Sequence, residues 1–416
     1  MGAAFKLTEG QDAAYRVFTD FVTDPDQEVL VLTGYAGTGK STLIKHILDT
    51  LPSTMRLLKL ITAKDESMEV QLTATTHKAA EALASITGSE VKTIHAYLGL
   101  RVVKNAKSGT TKLVPHGGAE IKHNTLIIID EASTIDESLL ENIFESTLNC
   151  KLVFIGDPAQ LTPVKANATP VFNQGYKTVK LTEVVRQLEG NPIISLATSF
   201  RNTVNGAPWI SDFIPDGTNV KHCPRDEFED LICAEFDRSD WVSNDSKVLA
   251  WTNKAVIEFN QSIRDYVEGE AQIQVMDYVV CNNFISTKKC KIKTDETVQI
   301  TDMMPSGDLG VNGWTVELNK KHTAFMPESF LAFKIRLKQA KKEEDWSACN
   351  HIDTSWVDLR AAYACTINKS QGSTYKQVFI DLDDVKKCNQ GALIARLMYV
   401  AVSRASDQVI MTGDLG

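Results

Sequence analysis

Long apolar runs are missing from this chain. Stretches such as "LIII" at 126–129 fall far short of the roughly 20 residues needed to cross a bilayer. The first ten residues, "MGAAFKLTEG", have no apolar core of the kind a secretory signal carries, and Lys6 stands where a myristoylation motif wants Ser or Thr. A cytoplasmic location with no membrane partner is the expectation. The eight cysteines include no C-x-x-C pair, and neither they nor the eight histidines fall at zinc-ligand spacing, so reduced thiols are expected rather than a disulfide framework or a zinc site. Short-period repeats and low-complexity tracts are absent too, which removes solenoids and disordered scaffolds. Aromatic residues make up only 7%, and none occurs between Leu100 and His123.

What remains is an ordinary globular composition, 43% apolar and 23% charged, in 416 residues. That length exceeds one comfortable core and predicts two or more domains. The net charge of −9 weighs against a polyanionic partner. Local distribution opposes the total: residues 100–123 carry Arg101, Lys104, Lys107, Lys112 and Lys122 against the single Glu120.

The strongest motif is "GYAGTGKS" (34–41), which satisfies G-x-x-x-x-G-K-[ST]. Such a loop aims backbone N–H groups at phosphate oxygens, while Lys40 neutralises charge and Ser41 ligates Mg²⁺. Gly34, Ala36, Gly37, Thr38, Gly39, Lys40, Ser41 and Thr42 are the expected nucleotide-binding residues. The context is right: "VLVLT" (29–33) predicts a buried strand feeding the loop, and Ile44, Ile47, Leu48 and Leu51 mark one face of a following helix.

Two more buried-type strands, "LIIIDEAS" (126–133) and "KLVFIGDPAQL" (151–161), end in polar residues. In parallel sheets those ends converge on a ligand. Asp130 can hold Mg²⁺ and Glu131 can orient and deprotonate an attacking water, an acid that a hydrolase needs and a nucleotide kinase does not. Arg186 in "LTEVVRQ" and Arg404 in "VAVSRAS" are candidates for the cation on the transition-state charge. "TNKAV" (252–256) and "INKSQG" (367–372) lack the Asp that guanine reading requires two residues after the Lys, so ATP is favoured over GTP. Gln11, with donor and acceptor on one amide, is able to pair with an adenine edge.

Further along, "SKVLAWTNKAVIEFN" (246–260), "YKQVFIDLDD" (375–384) and "QVIMTGD" (408–414) predict a second α/β unit without a second glycine loop. Alternating runs across about 275–355 predict a small β-rich insertion.

Taken in order, these stretches resemble the superfamily 1 DNA helicases of the 5′→3′ class, the Dda/RecD-like group. "LTEGQ" is similar to the Q motif, "GYAGTGKS" to motif I, "ATTHKAAEAL" to motif Ia and "TIHAYLGL" to motif Ib. "IIDEAS", "GDPAQLTPV", "LTEVVRQ", "YACTINKSQGST" and "YVAVSRAS" resemble motifs II to VI in turn. The resemblance covers residues 7–406. It implies two tandem α/β RecA-like P-loop-type domains: 1A (1–98 and 123–185), a β-hairpin pin 1B (99–122), 2A (186–272 and 358–416) and a small SH3-like insertion 2B (273–357).

By the same resemblance Gln11 reads adenine, Asp130 and Ser41 hold Mg²⁺, Gln160 senses the γ-phosphate, and Arg186 and Arg404 act as arginine fingers. Gln371 and Gly372 lie near the nucleotide, and Thr76, His77, Lys78, Thr93, His95, Lys369 and Ser370 lie along a single strand, with Lys104, Lys107 and Lys112 on the pin. Capping hydroxyls and satisfied histidines are the alternative reading of the Thr and His residues. The implied activity is an ATP- and Mg²⁺-dependent, monomeric helicase acting on single-stranded DNA and its junctions with duplex. A single-strand-binding protein or replisome component is a candidate partner. A protein-stripping translocase and an ATP-gated DNA-binding switch are the alternatives.

Overall fold

The computed structural model describes residues 7–62, 68–104, 111–163, 168–183, 190–209, 215–269, 273–287 and 289–415. Arg186, Lys107 and the tip of the expected hairpin lie outside them. The chain forms two compact units. One comprises residues 1–210 together with 371–373 and 391–403, and the other comprises the remainder.

The first unit is a parallel sheet covered by helices. Its strands and flanking segments run α1 (Glu9–Thr23), β1 (Val29–Gly34), α2 (Lys40–Thr62), β2 (Glu69–Ala74), α3 (His77–Thr87), β3 (Lys92–Thr93) and α4 (Ile94–Tyr97). They continue through β4 (Leu100–Lys104), β5 (Thr111–Pro115), β6 (Thr125–Asp130), α5 (Glu137–Glu145), β7 (Lys151–Gly156), β8 (Lys177–Leu181) and α6 (Pro192–Val204). The sheet order is β8-β1-β7-β6-β2-β3, with every pairing parallel. A parallel sheet with helices on both faces needs strands apolar on both sides, and β6 and β7 are buried at every position. Lys151 at the head of β7 is tolerated because its ammonium donates to the carbonyls of Phe21, Asp24 and Gln27 at 3.0, 2.7 and 2.7 Å, where α1 ends.

β4 and β5 stand apart as an antiparallel hairpin, with Leu100 opposite Pro115 and Lys104 opposite Thr111. The helix Gly391–Val402 packs in this unit as well, against α6.

The second unit holds another parallel sheet and an antiparallel one. Its elements are β9 (Val220–His222), α7 (Arg225–Phe236), β10 (Ser246–Ala250), α8 (Asn253–Glu268), β11 (Tyr278–Cys281), β12 (Thr297–Asp308), β13 (Val311–Leu318) and β14 (His322–Pro327). After them come α9 (Phe330–Lys342), α10 (Trp346–Ser355), β15 (Leu359–Ala361), β16 (Ala364–Thr366), β17 (Tyr375–Asp381) and β18 (Ala405–Thr412). The parallel sheet is ordered β9-β18-β17-β10-β16 and the antiparallel one β14-β13-β12-β11-β15.

The segment expected to be β-rich is so only as far as Pro327. Beyond it Ser329 and Asp345 accept hydrogen bonds from Ala332 and Ala348 and start two helices in succession. The Lys, Gln, Leu and Ala residues between those caps favour helix over strand.

Candidate nucleotide site

Because all six strands of the first sheet are parallel, their carboxyl ends share one edge. β1 delivers the glycine loop there, β6 delivers Asp130 and Glu131, and β7 delivers Asp157. Register aligns Thr33 with Gly156 and Ala74 with Asp130, so these ends lie level.

The loop's shape follows from its glycines. Gly37 and Gly39 have φ of 81° and 75°, values that L side chains rarely adopt. A Cβ on Gly34 would lie 2.6 Å from Thr38 Oγ1 and 3.0 Å from Leu181 Cβ, so that position has no room for one. Lys40 Nζ donates to the carbonyls of Gly34 at 2.6 Å and Tyr35 at 3.1 Å, which holds the ammonium over the loop. Ser41 and Thr42 follow, half-buried, in the first turn of α2.

Gln11 serves two structures at once. It is the third residue of α1, and its Oε1 accepts from Thr8 N while Thr8 Oγ1 accepts from Gln11 N, a reciprocal capping box. Its Nε2 donates to the carbonyls of Thr38 and Gly39 at 3.3 and 3.4 Å. The amide therefore ties the start of α1 to the phosphate loop.

Asp130 is buried, and burial pushes its carboxyl above the usual range, while the Glu131 amide at 2.9 Å and the Lys40 charge pull the other way. Glu131 has φ 54°, a left-handed conformation unusual outside glycine. Its neighbours fix it there. Asp130 Oδ1 accepts from its N–H, and its carbonyl accepts from Thr75 Oγ1 and Thr134 Oγ1, both at 3.1 Å. Strain this well supported is a feature of sites where a side chain must be aimed. An oxygen-only donor set of hydroxyl and carboxylate, with a buried acid beside the loop lysine, fits a hard divalent cation such as Mg²⁺.

The third strand end is bound to the loop by a residue far away in sequence. Tyr399, in the Gly391–Val402 helix, donates its hydroxyl to Asp157 Oδ2 at 2.5 Å and accepts from the Ala36 amide at 2.9 Å. Tyr399 and Asp157 are both buried, and burial together with the Asp157 charge pushes the phenol far above its ordinary range. One turn earlier Arg396 Nη1 donates to the carbonyls of Pro158 and Gln160, each at 2.6 Å. Gln160 is buried, and its Oε1 accepts from Gln371 Nε2 at 3.4 Å. Gly372, with φ 78°, lies against the first turn of α3, where a Cβ would meet Ala79 N at 3.3 Å. None of Tyr399, Asp157 or Arg396 was singled out from the sequence. The available signal was two polar residues three apart in the otherwise apolar run "ALIARLMYVAV".

The candidate single-strand residues divide between the units. Thr93 ends β3 and Thr76 lies two residues past β2, adjacent strand ends since Ala74 pairs with Thr93, and their hydroxyls cap α3 and α4 by accepting from Ala79 N and Ala96 N, each at 3.2 Å. His77 and Lys78 open α3. His95 is held below its ordinary pKa, first by burial and also by the nearby His77, with Asp136 opposing. Lys104 and Lys112 sit on the two arms of the β4–β5 hairpin.

In the second unit Lys369 Nζ donates to Asp295 Oδ1 at 2.7 Å and Asn282 Oδ1 at 2.9 Å. Ser370 is buried and donates to the Ile367 carbonyl at 2.7 Å, so its side chain serves the turn. Arg404 is buried immediately before β18, its carbonyl accepting from Tyr375 N.

Two family models match this chain: an AAA domain over residues 6–206 and a UvrD-like helicase C-terminal domain over residues 361–412. The ATP-dependent DNA helicase dda of Enterobacteria phage T4 is 26% identical over 451 residues, spanning 96% of this chain and 97% of that protein. The ATP-dependent RecD2 DNA helicase of Deinococcus radiodurans is 32% identical over 178 residues, 41% of this chain and 21% of its own length. Among solved structures, the Pif1 helicase from Bacteroides in complex with ADP-AlF3 and ssDNA shares the fold, with a TM-score of 0.53 at 16% identity over 99% of this chain and 93% of that one. The Pif1 helicase from Candida albicans does so with a TM-score of 0.52 at 18% identity over 98% and 94%.

Proposed function

The chain belongs to the superfamily 1 helicases of the Dda/RecD type, and we propose on that premise that it is an ATP-dependent DNA helicase that moves along single-stranded DNA and opens duplex ahead of it. The observation that carries the reading is Glu131. A hydrolytic base must be aimed, and this one is held in a left-handed backbone by three hydrogen bonds, next to a buried acid that feels the Lys40 charge.

In this reading the amides of Gly37–Ser41 and the Lys40 ammonium bind the polyphosphate of ATP, and Ser41 and Asp130 hold Mg²⁺. When bound, that cation would neutralise part of the polyphosphate charge. Glu131 takes the proton of the attacking water, and Gln160 reports the γ-phosphate to the Asp157 turn. Arg186 and Arg404 serve as fingers. Gln371 and Gly372 border the nucleotide, and Gln11 supports the loop and faces adenine.

Thr76, His77, Lys78, Thr93, His95, Lys369 and Ser370 track the strand, with Lys369 exchanging Asp295 for phosphate and Ser370 contributing through its backbone. The β4–β5 hairpin with Lys104, Lys107 and Lys112 is the pin, and the antiparallel sheet of the second unit is the SH3-like insertion. Opening duplex costs about 1.4 kcal/mol per base-pair step on average, which ATP turnover must supply. With no aromatic on the hairpin, strand separation there is steric and electrostatic. A monomer working in the cytoplasm, with a single-strand-binding protein or replisome component nearby, completes the proposal.

Steady-state ATP hydrolysis with and without single-stranded DNA tests it. Strong stimulation is expected. Unstimulated or absent turnover leaves the DNA-binding switch, and stimulated turnover without opening of forked duplex leaves the protein-stripping translocase.

A further inference from the structure

One cation beside the phosphate loop has no assigned part. Arg201, in the last turn of α6, lays its guanidinium on the ring of Tyr35, the second residue of the loop motif, with the guanidinium carbon 3.8 Å from the ring centroid. Stacking occupies the flat face of the group and leaves its N–H edge to find acceptors. It has not found them: Nε is buried without a hydrogen-bond partner, and among the described residues no carboxylate pairs with the guanidinium. A stacked arginine kept for structure alone would ordinarily bond its edge to a carbonyl or carboxylate, because an unsatisfied buried donor is costly.

Its surroundings indicate the kind of anion its edge would meet. The Arg201 charge acts on the Tyr399 phenol. That phenol bonds both the Ala36 amide and Asp157, and the Asp157 turn carries Gln160. Arg201 therefore lies close to both the second residue of the loop and the phenol that joins the loop to Asp157.

We propose that Arg201, held flat on Tyr35, is a further nucleotide-contacting residue, whose free N–H edge takes the terminal phosphate of a nucleoside triphosphate and so distinguishes triphosphate from diphosphate. This deepens the nucleotide-site reading and rests on it.

The test is the affinity of the full chain for two probes, Mg·AMPPNP and Mg·ADP, by calorimetry. Arg201→Gln should weaken AMPPNP about tenfold or more, the scale of a lost charge-assisted hydrogen bond, and leave ADP within about twofold. Tyr35→Leu keeps the charge but removes the platform and should give a smaller loss in the same direction; it also keeps the test open if the Arg201 variant melts early. Equal losses for both nucleotides, or none, in whichever variant melts as wild type does, would overturn the proposal. Failure of the wild-type chain to bind either probe would overturn the nucleotide-site reading instead.

Discussion

Tyr399 and Asp157 are 242 positions apart, yet the phenol of one donates to the buried carboxylate of the other at 2.5 Å and accepts from the phosphate loop at Ala36. The bond joins the helix that immediately precedes Arg404 to the loop and to the strand end carrying Gln160. Within the first unit, a shift of that helix is therefore felt by the nucleotide-binding edge without any intervening loop.

Tyr399→Phe removes the hydroxyl and leaves both partners in place, one of them a buried carboxylate. A loss of about 1–3 kcal/mol is expected, the cost of an unsatisfied buried group, read as a lower denaturation midpoint. The phenol also sets an alkaline limit. Its folded-state pKa lies above the unfolded value of about 10, so its contribution is intact below that pH and declines as pH rises beyond it, where the unfolded chain ionises and the folded one does not. The Phe variant should lose less stability than wild type between pH 9 and about pH 11. An identical alkaline slope would contradict this.

Lys40→Ala should abolish ATP turnover and leave single-stranded DNA binding in place, because the ammonium bonds only loop carbonyls and sits over the phosphate cradle. Fluorescence anisotropy with a labelled oligonucleotide, run beside an ATPase assay, reads both. DNA-stimulated hydrolysis that survives the substitution would refute the role given to Lys40.

Glu131→Gln keeps the size and the left-handed backbone but removes the base. Turnover should fall by about 10²- to 10⁴-fold, with nucleotide affinity nearly unchanged. Single-turnover hydrolysis separates the chemical step from binding. A comparable fall in affinity would mean that the residue holds nucleotide rather than water.

His95 gives an acid-side signature. Burial holds its folded-state pKa below the ordinary value of 6.5, so above that pH the neutral ring costs nothing, and as pH falls the unfolded chain takes up a proton that the folded one resists. Thermal stability should decline below about pH 6.5, and His95→Gln should flatten that decline. A variant with the wild-type slope would place the acid sensitivity elsewhere.

The features legible in the sequence are those that local chemistry dictates. Buried strands, the glycine loop and the acid pair after β6 announce themselves within ten residues, because apolar runs and glycine spacing are local signals. The Thr8–Gln11 capping box was equally legible as T-x-x-Q, although the tie from Gln11 to the loop carbonyls was not. What stayed hidden depends on contacts between distant segments. Packing of Gly391–Val402 in the first unit, and with it the Tyr399–Asp157–Ala36 link, has no local pattern beyond a lone phenol in an apolar helix. The α9–α10 pair was masked by alternating residues whose helical state is set by the Ser329 and Asp345 caps.

The most direct test of the account is unwinding of two otherwise identical duplexes, one with a 5′ single-stranded tail and one with a 3′ tail, by the full chain with Mg·ATP. Strand release from the 5′-tailed substrate is expected, dependent on hydrolysis and absent with Mg·AMPPNP. Release from neither substrate, while single-stranded DNA still stimulates ATP turnover, would contradict it.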